Sequence, residues 1–105
     1  MNNINSVITS KIKEYVKSVD TQAEVYLFGS RARNDESENS DWDLLILTPS
    51  DVNLEYEQKF RHKLFELELE FAIALSVFAY SEKEWNTKYT STPFYTNILH
   101  DRIKL

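Results

Sequence analysis

An α+β fold, a small mixed sheet flanked by helices as a mixed α/β sandwich, is what this sequence predicts. Three observations carry that expectation. Apolar residues recur at helical spacing in two long segments, short aliphatic and aromatic runs separate them, and the only glycine stands at the end of the first such run. The elements read helix, strand, strand, helix, strand, helix, helix, with no repeat, low-complexity tract or linker.

From about residue 5 to 17, Ile8, Ile12 and Val16 recur every four residues with Val7 and Tyr15 beside them, the stripe of an amphipathic helix. AEVYLF, residues 23–28, is apolar on both faces apart from Glu24 and predicts a buried strand ending at Gly29. Residues 30–40 are polar and predict a helical turn followed by loop. WDLLIL, residues 42–47, predicts a second strand, halted by Pro49. A long helix follows over about 52–70, capped by Ser50 or Asp51, because Phe60, Leu64, Leu67 and Phe71 fall at spacings of four, three and four. FAIALSVFAY, residues 71–80, has the β-branched and aromatic content of a central strand. Ser81 with Glu84 fits a capping box that opens a short helix through Trp85. Thr92 before Pro93 starts the last helix, which carries Phe94, Ile98 and Leu99 with Ile103 trailing.

At 105 residues the chain predicts one domain, 1–105, and 42% apolar with 13% aromatic residues is ample for a packed core. A chain this short buries only about two-thirds of its unfolded surface, so a partner covering an apolar face would stabilise it. The net charge of −5 and the scattered basic residues argue against a nucleic-acid surface. They leave a mononucleotide open, since a bound metal supplies positive charge. The absence of cysteine removes disulfides and thiolate metal sites. The N-terminal stretch lacks a signal-peptide core, and residues 71–80 are about half a membrane span. A soluble cytoplasmic protein with no membrane role is expected.

One segment stands apart, FGSRARNDESENSDWDLLIL, residues 28–47. It sets a Gly-Ser turn at the exit of one strand and a D-x-D at the entrance of the next. Side chains alternate faces along a strand, so Asp41 and Asp43 share a face with Cα atoms roughly 6.5–7 Å apart. Each raises the pKa of the other, a penalty that a hard divalent cation removes; Mg²⁺ takes one or two carboxylates plus substrate phosphates. Gly29 lets the backbone approach a ligand, and Ser30 at the start of a helical turn offers amides and a hydroxyl to an anion. Arg31 and Arg33 adjoin and could clamp phosphate oxygens.

This pattern resembles the nucleotidyltransferase superfamily related to DNA polymerase β, in particular the minimal nucleotidyltransferases with G-S-x-A-R-G, a short spacer and S-D-x-D-L. Gly29-Ser30-Arg31-Ala32-Arg33 and Ser40-Asp41-Trp42-Asp43-Leu44 match, with Asn34 in place of the last glycine. Asparagine is the non-glycine residue that best accepts a left-handed conformation, so the turn survives. The resemblance implies Mg²⁺-dependent transfer of a nucleoside monophosphate, AMP from ATP, to a hydroxyl. Asp41 and Asp43 would hold the metal, Gly29 and Ser30 the β- and γ-phosphates, with Arg33 in support. It also implies an antitoxin role, the acceptor being a tyrosine of an all-helical HEPN toxin.

Two departures qualify the resemblance. The family's third carboxylate belongs on the strand after the long helix, where residues 71–80 hold no acid; Ala74 or Ser76 is the nearest equivalent. Glu66, Glu68 and Glu70 precede it and read as helix-surface charges. The C-terminal helix lacks its usual exit glycine, reading Asp101-Arg102-Ile103-Lys104-Leu105. A catalytically impaired module acting by complex formation is therefore the alternative. An aminoglycoside-type or polymerase-like transferase is disfavoured because no substrate domain follows residue 105. Self-association stays open. His62 and His100 have no partner at ligand spacing, and Trp42 should point to the face opposite the acids. Trp85, Tyr89, Phe94 and Tyr95 read as core or as a partner-binding patch.

Overall fold

The computed structural model describes residues 3–37 and 39–105, so Glu38 of the polar segment lies outside the described residues. Within them the helices are α1 (Asn3–Val19), α2 (Ser30–Arg33), α3 (Leu54–Phe71), α4 (Glu82–Lys88) and α5 (Pro93–Asp101). The strands are β1 (Glu24–Phe28), β2 (Trp42–Thr48), β3 (Leu75–Ser81) and β4 (Ile103–Lys104). They form one mixed sheet in the order β3-β2-β1-β4. β2 runs antiparallel to β1 and parallel to β3, and β4 adds antiparallel to β1. The α+β class stands.

Alternation along the strands sorts the core into two layers. Trp42, Leu44 and Ile46 of β2 face α1 and α3, where Ile12, Val16, Phe60 and Leu64 close over them. Leu45 and Leu47 face the other way, against Trp85 of α4 and Ile98 of α5. β2 is thus covered on both sides, which is why nearly every residue in it is buried. β1 differs from expectation: only Val25 and Leu27 are buried, while Glu24, Tyr26 and Phe28 stay half-exposed. Its second face lies at the margin of the smaller layer.

Three boundaries also move. Asn53, not Ser50 or Asp51, caps α3, its Oδ1 accepting the Tyr56 amide at 2.8 Å. β3 starts at Leu75 rather than residue 71, because Phe71 extends the buried stripe of α3 by one more turn. Ala72 then ends the helix in a left-handed conformation (φ 54°), and Glu68 Oε1 accepts the Leu75 amide at 2.9 Å. Ile103 leaves the last helix: Arg102 is extended (φ −63°, ψ 144°), and the chain turns back to pair Ile103 with Leu27. An extended exit needs no positive φ, so a glycine there is unnecessary. Ser81 and Thr92 cap α4 and α5 as expected, each accepting an amide at 3.1 Å, from Glu84 and Tyr95 respectively.

At the C-terminal end of β2 a buried hydroxyl, Thr48, donates to Asp20 Oδ2 at 2.6 Å. Tyr56 of α3 donates to the same oxygen, and the Gln22 amide reaches Oδ1 at 2.9 Å. The Thr48 and Tyr56 hydrogen bonds hold the Asp20 carboxyl below its ordinary range. One side chain thereby ties the α1–β1 turn to β2 and α3.

Candidate active site

The opposite end of β2 is built differently. β1 ends with Phe28 directly across from Asp43. The next residue, Gly29, has φ 77° and ψ −157°, and its carbonyl accepts the amides of Ala32 and Arg33, both at 3.1 Å. A Cβ at this position would lie 2.2 Å from Asp43 Oδ2. Glycine is therefore required twice, by the backbone angle and by the carboxylate packed against its Cα. Ser30 opens α2, so the helical turn read from the sequence is present. Asn34 closes that turn in the left-handed region (φ 61°, ψ 30°), taking the place of the expected glycine.

Asp41 immediately precedes β2 and is exposed; Asp43 is the second residue of the strand and half-buried. Trp42 between them points to the α1/α3 layer and is 2% exposed. The two carboxylates are electrostatically coupled, since Asp41 raises the pKa of Asp43. Burial is the larger cause of that upward shift, with Arg33 opposing it. Mutual repulsion, the cause foreseen from the D-x-D spacing, ranks second.

On β3 the residue across from Asp43 is Ser76, whose hydroxyl donates to Asp41 Oδ2 at 3.2 Å. Of the two positions considered for a missing acid, Ser76 is the one facing the pair. Ala74 sits before β3 and gives its carbonyl to the Trp42 amide at 2.9 Å. The helix glutamates do not contribute: Glu66 pairs with Lys63, Glu68 holds the start of β3, and Glu70 is exposed.

The two arginines part company. Arg31 directs Nε and Nη2 to the Ser40 carbonyl at 3.1 and 3.0 Å and stacks 4.4 Å above the Trp42 ring. That guanidinium ties α2 to the segment entering β2. Arg33 stays within electrostatic reach of Asp43 and pairs with Asp101 at 2.8 Å and Asp35 at 3.1 Å. Asp101, held below the ordinary range by His100 first and Arg33 second, is a neighbour the sequence did not reveal. Only the packing of α5 brings it alongside α2.

Among the described residues no three His, Cys, Asp or Glu side chains gather as a metal cluster. The donor set is two carboxylates, hard oxygens of the kind Mg²⁺ takes together with phosphate oxygens, with the Ser76 hydroxyl bonded to one of them. The close seat of Asp43 on Gly29 holds that carboxylate at the Gly29-Ser30 turn. The residues present fit a divalent cation. No described helix is long and apolar enough to cross a membrane.

Comparison with known proteins bears on the family and the fold. The family model for the nucleotidyltransferase domain matches residues 9–105. A candidate protein adenylyltransferase of Methanocaldococcus jannaschii is 32% identical over 95 residues, covering 86% of this chain and 89% of that one. A toxin–antitoxin pair crystallised with AMP-PNP superposes with a TM-score of 0.67 at 16% identity, over 90% of this chain and 69% of that one. The complex of the tri-AMPylated Shewanella oneidensis HEPN toxin with its MNT antitoxin gives 0.63 at 13% identity, over 94% and 69% of the two chains. These two structural likenesses speak for the fold.

Proposed function

The chain belongs to the nucleotidyltransferase domain family, and from that premise we propose that it transfers AMP from ATP, with Mg²⁺, to a hydroxyl of a protein partner. Asp41 and Asp43 hold the cation, Gly29 and Ser30 receive the β- and γ-phosphates, and Arg33 supports them by exchanging Asp35 or Asp101 for phosphate oxygen. Arg31 serves as a brace. In the transfer, an acceptor oxygen bonds to the α-phosphorus, the bond to the bridging oxygen breaks, pyrophosphate leaves and the hydroxyl proton passes to solvent. The bound cation supplies charge neutralisation for the triphosphate. What the chain itself contributes is positioning and preorganised charge.

The single observation behind this reading is the contact between Gly29 and the Asp43 carboxylate. It joins the phosphate-type turn to the metal-type acid in one place. The acceptor we propose is a tyrosine of a HEPN-type helical protein, with the chain acting as a cytoplasmic antitoxin; the complex of an AMPylated HEPN toxin with its MNT antitoxin supports this reading. The test is incubation with Mg²⁺, α-labelled ATP and the product of the adjacent gene. Covalent label on the partner, absent with Asp41→Asn and Asp43→Asn, is the expected result.

A second reading has its own support in Ser76, a neutral hydroxyl across from Asp43 where the resemblance leads one to expect a third acid. Under it the chain neutralises its partner by binding alone. Co-purification that survives both Asp→Asn changes, with no label in wild type, would replace the first reading with this one.

A further inference from the structure

We propose that Ser76 is a positioning residue of the cation site, holding the Asp41 carboxylate in the orientation that a divalent ion requires. This rests on the metal reading of Asp41 and Asp43 given above.

The argument begins with the unequal anchoring of the two acids. Asp43 belongs to the ladder of β2, paired with Phe28 on one side and Ser76 on the other, and its carboxylate is seated against Gly29. Its position is fixed by the sheet. Asp41 lies one residue outside the strand and is exposed, so neither the ladder nor core packing restricts its rotamer. Among the described residues its carboxylate is held by the Ser76 hydroxyl, 3.2 Å from Oδ2. Ser76 is half-buried on β3, in the same cross-strand row as Asp43, and so refers Asp41 to the frame that fixes Asp43. Oδ1 is left to the ion. A hydroxyl does this without adding charge, so the site stays at two carboxylates, the number a single divalent cation balances. Preorganising a mobile ligand saves the ordering cost that binding would otherwise incur.

The test is calorimetric titration of the full chain with Mn²⁺, alone and with AMP-PNP, for wild type, Ser76→Ala, Ser76→Thr and Asp43→Asn. Loss of one such hydrogen bond should weaken Mn²⁺ binding about fivefold in Ser76→Ala. Threonine keeps the hydroxyl and suits a strand, so Ser76→Thr should stay within about twofold of wild type. Thermal melting of the metal-free chains should barely change, because the bond is exposed; a purely structural role would show in the melt instead. If Ser76→Ala binds Mn²⁺ as wild type does while Asp43→Asn loses it, the positioning role is wrong and the metal site stands. If wild type takes up no Mn²⁺ in either condition, the metal reading fails and this inference with it.

Discussion

β2 carries aspartate chemistry at both of its ends, and the two ends are opposites. At the C-terminal end Asp20 receives hydrogen bonds from Thr48, Tyr56 and the Gln22 amide, and its carboxyl is held below the ordinary range. At the N-terminal end Asp43 is half-buried with Asp41 beside it, and its carboxyl is pushed up. Satisfied carboxylates lower the free energy of the fold; crowded and desolvated ones raise it and persist where a ligand removes the penalty. The comparison separates a structural acid from the proposed cation ligand by their partners, since the residue type is the same.

Substitutions at the two ends should therefore give opposite patterns. The largest effect is expected for Asp43→Asn, with transfer activity falling at least about a hundredfold. Stability should move the other way. The raised folded-state pKa of Asp43 means that its stabilising contribution is complete below the unfolded value of 3.8 and lost as pH rises through the folded one. At pH 7 the ionised carboxylate opposes folding, so Asp43→Asn should melt higher than wild type, and the gap should close in acid. A lower melting temperature at pH 7 would contradict the functional assignment.

Gly29→Ala comes next and sharpens the same contrast. The new methyl group would stand 2.2 Å from Asp43 Oδ2 at a backbone φ of 77°, so either the carboxylate swings away or the turn reopens. Binding of Mn²⁺ should be lost, and strain at that angle should cost about 1–2 kcal/mol by denaturant unfolding.

Asp20→Asn should leave nucleotide and metal binding intact and cost about 2 kcal/mol at pH 7, because hydrogen bonds to a charged acceptor are weakened and Thr48 is buried. Here the folded pKa is depressed, so the stability is present above 3.8 and disappears as pH falls through the folded value. Wild type and variant should converge in acid, from the opposite direction to Asp43→Asn. The smallest effect is at Asn34. Replacement by alanine in the left-handed region should cost about 1 kcal/mol, and replacement by glycine should cost nothing.

Much of the fold was legible because it depends on periodicity. The stripes of Ile8, Ile12 and Val16 and of Phe60, Leu64 and Leu67 fixed α1 and α3, and the caps at Ser81 and Thr92 were readable from single residues. What failed was the junction after α3, where Phe71 and Ile73 suit a helix stripe and a strand equally well. β4 was invisible because two residues carry no period; the open edge of β1 recruits them.

The sequence by itself determined that a glycine-serine turn and a D-x-D stand at adjacent ends of two strands, since spacing and alternation are local properties. Only the tertiary structure decided that Phe28 pairs with Asp43, that Ser76 joins their row, and that Arg33 answers to Asp101 while Arg31 braces Trp42. Those relations depend on strand register and on where α5 packs. Register and packing are set by burial summed over the whole sheet, which no single segment encodes.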